Sequence, residues 1–228
     1  MTILLETSDL GFRYPNGPWL FRGVNLSLMA GQITLLTGPS GSGKTSLLYA
    51  LCGLIPQVFA GEYIGKTVIK NLDSRQWALP RLASVLAVVF QTPQLFFPRL
   101  EDELAFTPEN LQWSRQRMTR AVEEALAAAK LEPFRDKAPE RLSGGQQQLA
   151  SWATALTAMP DIFLLDEPFS QLDPAGKQLL RDSIQALAAA GKAIFLIEHS
   201  DPGLDNLNNL CSLDKGVLTR RVHHKIWG

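Results

Sequence analysis

The chain is poor in cysteine, has no excess charge of either sign and contains no long apolar run. Cys52 and Cys211 are its only cysteines in 228 residues, far apart and without metal-ligand spacing. Both lie in apolar surroundings, so they read as buried free thiols rather than as a disulfide or a redox pair. Twenty-two basic residues balance twenty-two acidic ones, which leaves no global field to attract nucleic acid or an anionic membrane. Charges interrupt every apolar run well before the ~20 residues needed to cross a bilayer. The N-terminus also lacks the charged, apolar, small-residue succession of a signal peptide, and the expectation is a cytoplasmic chain. No internal repeat or low-complexity stretch appears. What remains, with 46% hydrophobic residues, is enough for a substantial core in one large domain or two small lobes.

One octapeptide stands out. Gly38-Pro39-Ser40-Gly41-Ser42-Gly43-Lys44-Thr45 fits the phosphate-binding pattern G-x-x-x-x-G-K-[ST] at every fixed position. A triphosphate concentrates negative charge, so its receptor needs close approach and many donors. Glycines supply both, because they lack a Cβ and tolerate positive φ, letting successive N–H groups curl round the anion. Lys44 would reach the β- and γ-phosphates, and the Thr45 hydroxyl would complete a magnesium shell. An apolar run, Ile33 to Thr37, precedes the loop, and a helix-like stretch, Ser46 to Leu51, follows it. That context puts the phosphates at a helix N-terminus, where a Gly/Ser linker would have neither neighbour.

Elsewhere the pattern alternates. Val24 to Leu28 reads as a half-buried strand, and Lys66–Ile69 and Val85–Phe90 as further strands. Between 93 and 150 the composition turns helical, with Met118, Ala121, Val122, Ala125, Leu126 and Ala129 on one face. Ile162–Leu165 and Ala193–Ile197 read as buried strands, separated by a helix over 175–190 that Gly191 ends. Alternation of this kind argues for a parallel sheet covered by helices.

Asp166 and Glu167 directly follow the strand Ile162–Leu165. Carboxyl ends of strands face the ligand crevice of an open α/β sheet, so one acid can hold magnesium and the other can orient water. Leu142-Ser143-Gly144-Gly145-Gln146 offers a hydroxyl and free amides at a helix start, either as a second anion site or as an ordinary N-cap by Ser143. With one phosphate loop already present, the economical purpose of a second site is a nucleotide held by another copy of the chain.

In that order, these motifs resemble the nucleotide-binding domain of the ABC ATPases, over essentially the whole chain. The resemblance implies a P-loop NTPase of α/β class: a RecA-like parallel-sheet core, an N-terminal antiparallel β subdomain and an inserted α-helical subdomain. Residues 1–228 form one domain, with the β subdomain and core over about 1–92 and 151–228 and the helical insert over about 93–150. ATP and Mg2+ are the implied ligands. ATP would be bound by Tyr14, which matches the family's adenine-stacking aromatic, by Gly38, Pro39, Ser40, Gly41, Ser42, Gly43, Lys44 and Thr45, and by Ser46. Ser143, Gly144, Gly145 and Gln146 would contact the ATP of the opposite subunit. Thr45, Gln91 and Asp166 would serve magnesium. Lys44, Gln91, Glu167 and His199 would carry the hydrolysis, with His199 matching the switch histidine. Ser170-Gln171-Leu172-Asp173 matches the family's dimer-contact loop. Taken without the pattern, Tyr14 is a strand aromatic, Gln91 a strand-end polar residue and His199 a loop histidine; His223 and His224 match no motif and read as surface residues.

Cys52–Pro56, Val89–Pro93 and Glu103–Asn110 further resemble the ATPases of energy-coupling factor transporters, which import vitamins and cobalt or nickel ions. The expected partners are a transmembrane scaffold subunit docking near residues 91–110 and a second ATPase subunit, identical or different, with the chain at the cytoplasmic face of the membrane. The rival is a soluble ABC ATPase of the iron–sulfur cluster assembly type. Four features depart from the pattern: Gln94-Leu95-Phe96-Phe97 lacks acidic residues, Leu149 replaces a basic residue, Glu198 a threonine and Ser200 an aspartate.

Overall fold

The computed structural model describes residues 2–205 and 207–221, so His223 and His224 lie outside the described residues. Strands are β1 (Ile3–Arg13), β2 (Phe21–Val24), β3 (Ser27–Met29), β4 (Ile33–Thr37), β5 (Glu62–Ile69), β6 (Leu72–Asp73), β7 (Leu86–Val89), β8 (Ile162–Asp166), β9 (Ala193–Ile197), β10 (Leu207–Asp214) and β11 (Val217–Arg221). Helices are α1 (Lys44–Leu51), α2 (Leu54–Gln57), α3 (Leu79–Leu82), α4 (Leu100–Asn110), α5 (Arg115–Ala129), α6 (Gly144–Thr157) and α7 (Pro174–Ala189). One sheet is antiparallel, ordered β2-β1-β5-β6 with β3 also on β1. The other runs β11-β10-β4-β9-β8-β7 and is parallel except at β11.

Burial at every position of β4, β8 and β9 follows from helices and the second sheet covering both faces. Alternate residues therefore feed different cores. Phe163 and Leu165 of β8 pack with Trp152 and helices α4 to α7, whereas Ile162 and Leu164 pack with α1 and the antiparallel sheet. The amphipathic pattern around residue 122 becomes α5, capped by Ser114 and ended by Lys130 at φ 55°. Asp173 caps α7, its Oδ1 accepting from Gly176 N at 2.7 Å, as its position before Pro174 requires. Helix α6 runs through residue 150 without a break.

Val24 to Leu28 is not one strand. β2 stops at Val24 and β3 starts at Ser27, each paired with a different part of β1. One backbone bond persists between them, Thr7 N to Leu26 O at 2.8 Å, and side chains supply the rest: Thr7 Oγ1 accepts from Leu26 N and donates to Val24 O, both at 2.9 Å, and Asn25 Oδ1 accepts from Asp9 N at 3.0 Å. Threonine and asparagine compete with backbone pairing in this way, and alternation of hydropathy carries no trace of it. Both cysteines are buried and unpaired. Burial pushes the Cys52 thiol up to about 12 and raises that of Cys211 as well, which leaves both unreactive. No helix among the described residues is long and apolar enough to cross a membrane.

Candidate functional site

The loop between β4 and α1 edges a cleft of about 570 Å³ lined by Tyr14, Leu20, Ser40, Gly41, Gly43, Lys44, Thr45, Ser46, Gln91, Glu167 and His199. Gly38 and Gly43 are required by shape. At Gly38, φ is 150° and a Cβ would lie 2.2 Å from Leu213 O; Gly43, at φ 96°, caps α1 without a side chain. With no side-chain cap, the first amides of α1 are left for an anion. Pro39 O accepts from Ser42 N at 3.2 Å and closes the loop. The Ser42 hydroxyl is buried with no hydrogen-bond partner.

Lys44 is buried, and its Nζ donates to Gly38 O at 3.0 Å and Pro39 O at 2.9 Å. Burial lowers its pKa, while the nearby Glu167 and Asp166 charges oppose that shift. The ammonium is thus parked on two neutral carbonyls, a position from which an anionic ligand can draw it. At the next residue the Thr45 hydroxyl donates to Asp166 Oδ2 at 2.8 Å. Asp166 is raised above its ordinary value chiefly by burial, with Glu167 adding to it and the Thr45 hydrogen bond working against it.

Glu167 is gripped from both sides. Gln91 Nε2 donates to its Oε2 at 2.9 Å, and His199 Nε2 lies 2.8 Å from its Oε1. Its φ is 47°, a left-handed conformation uncommon for a residue other than glycine. Strain of this kind persists only where the surroundings over-determine it, and it gathers at functional sites. Tyr14 is 37% exposed, its hydroxyl 3.4 Å from Ser46 Oγ and its ring edge-on to Phe12.

The residues expected on the phosphate side are therefore brought together, and those of the second anion site are not among them. Ser143, Gly145 and Gln146 line a separate cleft of about 530 Å³ with Gln171, Leu172 and Asp173. Both readings of Ser143 meet here: it caps α6 in a reciprocal box with Gln146, at 3.3 and 2.9 Å, and still sits at the surface. A Cβ at Gly144 would lie 2.6 Å from Gln171 Oε1, so the loop around Ser143 and the segment after Phe169 touch closely. Leu20 carries no motif, yet the turn after Tyr14 brings it into the cleft at the phosphate loop.

Residues 21–170 match the ABC transporter family. A putative ABC transporter ATP-binding protein of Pyrococcus horikoshii is 37% identical over 220 residues, which cover 94% of this chain and 78% of that protein. Some relatives are longer: the chain spans 31% of a putative ABC transporter ATP-binding protein of Methanosarcina acetivorans, at 39% identity. The energy-coupling factor transporter ATP-binding protein EcfA of Methanocaldococcus jannaschii is 33% identical over 86% of this chain and 70% of its own. Among solved structures, the ATP-binding cassette MJ0796, a dimer in a post-hydrolysis state with ADP and Pi, superposes with a TM-score of 0.80 at 23% identity, over 95% of this chain and 98% of that one. The phosphate loop, helix α6 with its Ser143 cap and the sheet that carries both accord with one conclusion: this chain belongs to the ABC transporter family of nucleotide-binding ATPases.

Proposed function

We propose that this chain is the ATP-hydrolysing subunit of a membrane transporter of the energy-coupling factor type, working as one half of an ATPase pair at the cytoplasmic face of the membrane. The observation that carries the reading is the Glu167 carboxylate, half-buried at a phosphate loop and held between Gln91 and His199. The identity to EcfA of M. jannaschii favours the transport branch over the iron–sulfur cluster assembly rival.

ATP enters with its base on Tyr14 and its phosphates on the amides of Gly38 to Ser46, and Lys44 turns from the loop carbonyls to the phosphates. Phosphoryl transfer then asks for positioning and charge stabilisation rather than covalent chemistry. Glu167 orients water toward the γ-phosphate, and His199 holds that phosphate in line. Thr45, Asp166 and Gln91 offer hard oxygen donors of the kind magnesium takes alongside substrate phosphates; when bound, the ion neutralises phosphate charge. Ser143, Gly144, Gly145 and Gln146 serve the ATP of the facing subunit, since in their own chain Ser143, Gly145 and Gln146 line a different cleft.

Residues 93–150 act as the helical subdomain between core and membrane partner. The partner meets residues 91–110, where Phe96 is 77% and Phe106 48% exposed. Glu103 fixes that surface by accepting the Phe96 and Phe97 amides at 2.7 and 3.0 Å.

The test is ATP turnover by the full chain beside Glu167→Gln, with detergent co-purification of an apolar membrane subunit. Equal turnover by the two proteins would sink the assignment of Glu167.

A further inference from the structure

Three carboxylates are buried among the described residues: Glu103, Asp166 and Glu198. The first two have the partners described above, and Glu198 takes no direct part in the nucleotide cleft. It directly follows β9, its amide donates to Leu36 O at 3.2 Å, and it is 7% exposed. Its Oε1 accepts from Phe169 N at 3.3 Å. Phe169 is itself buried, and the Arg181 guanidinium stands 5.8 Å from its ring centroid while Arg181 Nε donates to Pro202 O at 2.6 Å. The segment 198–202 and the turn 167–170 are thus tied at two points. Glu167 and His199 adjoin the tie.

We propose that Glu198 is a positioning residue for hydrolysis: by accepting the Phe169 amide it locks the turn that carries Glu167 to the segment that carries His199. The inference rests on the ATPase reading and adds to it a residue that never touches nucleotide. Glu167 at φ 47° needs such support; its own amide on Ile197 O at 3.0 Å and the Ser170 amide on its carbonyl at 3.2 Å supply part of it. Without Glu198 the buried Phe169 N–H has lost its acceptor, which is costly. The charges facing Glu198 are Glu167 from the turn after β8 and Lys177 from α7. Burial raises its carboxyl to about 7, Glu167 adds to that, and the Phe169 and His199 amides and Lys177 oppose it. An ionised acceptor binds an amide more strongly, so the lock tightens as pH rises through that value.

The experiment compares the full chain with Glu198→Gln and Glu198→Leu, by hydrogen–deuterium exchange of segment 168–173 without nucleotide and by ATP turnover. Glu198→Gln keeps the acceptor and loses the charge: exchange stays near wild type below about pH 6, while the rise in kcat between about pH 6 and 8 expected of wild type disappears. Glu198→Leu exchanges faster in that segment only, and kcat falls about ten- to a hundredfold with KM for ATP unchanged. Wild-type exchange in Glu198→Leu overturns the inference. If that variant does not fold, a wild-type pH profile in Glu198→Gln overturns it instead. Lys44→Ala is the control: turnover that ignores it defeats the ATPase reading, and the exchange result still decides the role of Glu198.

Discussion

His199 Nε2 lies 2.8 Å from Glu167 Oε1 while the other oxygen of that carboxylate accepts from Gln91 at 2.9 Å. Both oxygens of the proposed water-orienting group therefore have a side-chain partner. Each carboxylate oxygen keeps a further acceptor site, so Glu167 can take water while Gln91 and His199 fix its direction. His199→Ala should accordingly bind ATP normally yet lose about a hundredfold in kcat, as measured by single-turnover hydrolysis. A kcat near that of wild type would show that His199 only occupies Glu167.

Lys44 rests on Gly38 O and Pro39 O, so its removal frees two carbonyls without unfolding α1. Lys44→Ala should keep its melting temperature in buffer and lose the upward shift that ATP gives wild type. That shift, about 2.7 kcal/mol at a hundredfold excess of ligand over Kd, is readable by thermal denaturation.

Trp152 is buried, its ring 5.6 Å from Phe163 and its Nε1 donating to Ser183 Oγ at 3.2 Å. It joins α6 to β8 and α7, and so ties the helix that Ser143 caps to the strand that delivers Asp166. Trp152→Ala should cost about 3–5 kcal/mol, measured by denaturant unfolding.

Glu198 also gives stability a pH dependence of known sign. Its carboxyl lies at about 7 in the folded chain against the ordinary glutamate value of 4.5, so the folded chain holds the proton more tightly. The stability this supplies is complete below about 4.5 and is lost as pH rises through about 7. Glu198→Gln should flatten that slope, by up to about 3 kcal/mol across the window. Urea midpoints taken across the range would record it, and parallel slopes for the two proteins would contradict it.

Phe96 is the most exposed large apolar side chain among those described, at 77%. Phe96→Ser should leave the chain's own ATP turnover intact and abolish co-purification with a membrane subunit. Retained co-purification would move the docking surface away from residues 91–110.

The contiguous features are legible in the sequence alone. Gly38 to Thr45 is one short peptide whose chemistry is local, because glycine dihedrals, a lysine and a hydroxyl suffice to define it. The apolar runs Ile162–Leu165 and Ala193–Ile197 likewise mark strands buried on both faces. Hydropathy does not tell that Val24–Leu28 breaks in two, because Thr7 and Asn25 replace ladder hydrogen bonds through side chains. Nor does it tell which face of β8 meets which core.

By itself, then, the order of residues determined the family, the phosphate loop and the list of groups able to do chemistry, since each is carried by neighbours along the chain. Only folding decided that Glu167 stands between Gln91 and His199, that Ser143 opens into another cleft, and that Glu198 closes on the amide of Phe169. Those relationships join residues that lie far apart in the chain: Gln91, Glu167 and Glu198 with His199 follow the adjacent parallel strands β7, β8 and β9, and Ser143 precedes α6. Hydrogen bonding depends on distance in space, which the linear order leaves undefined.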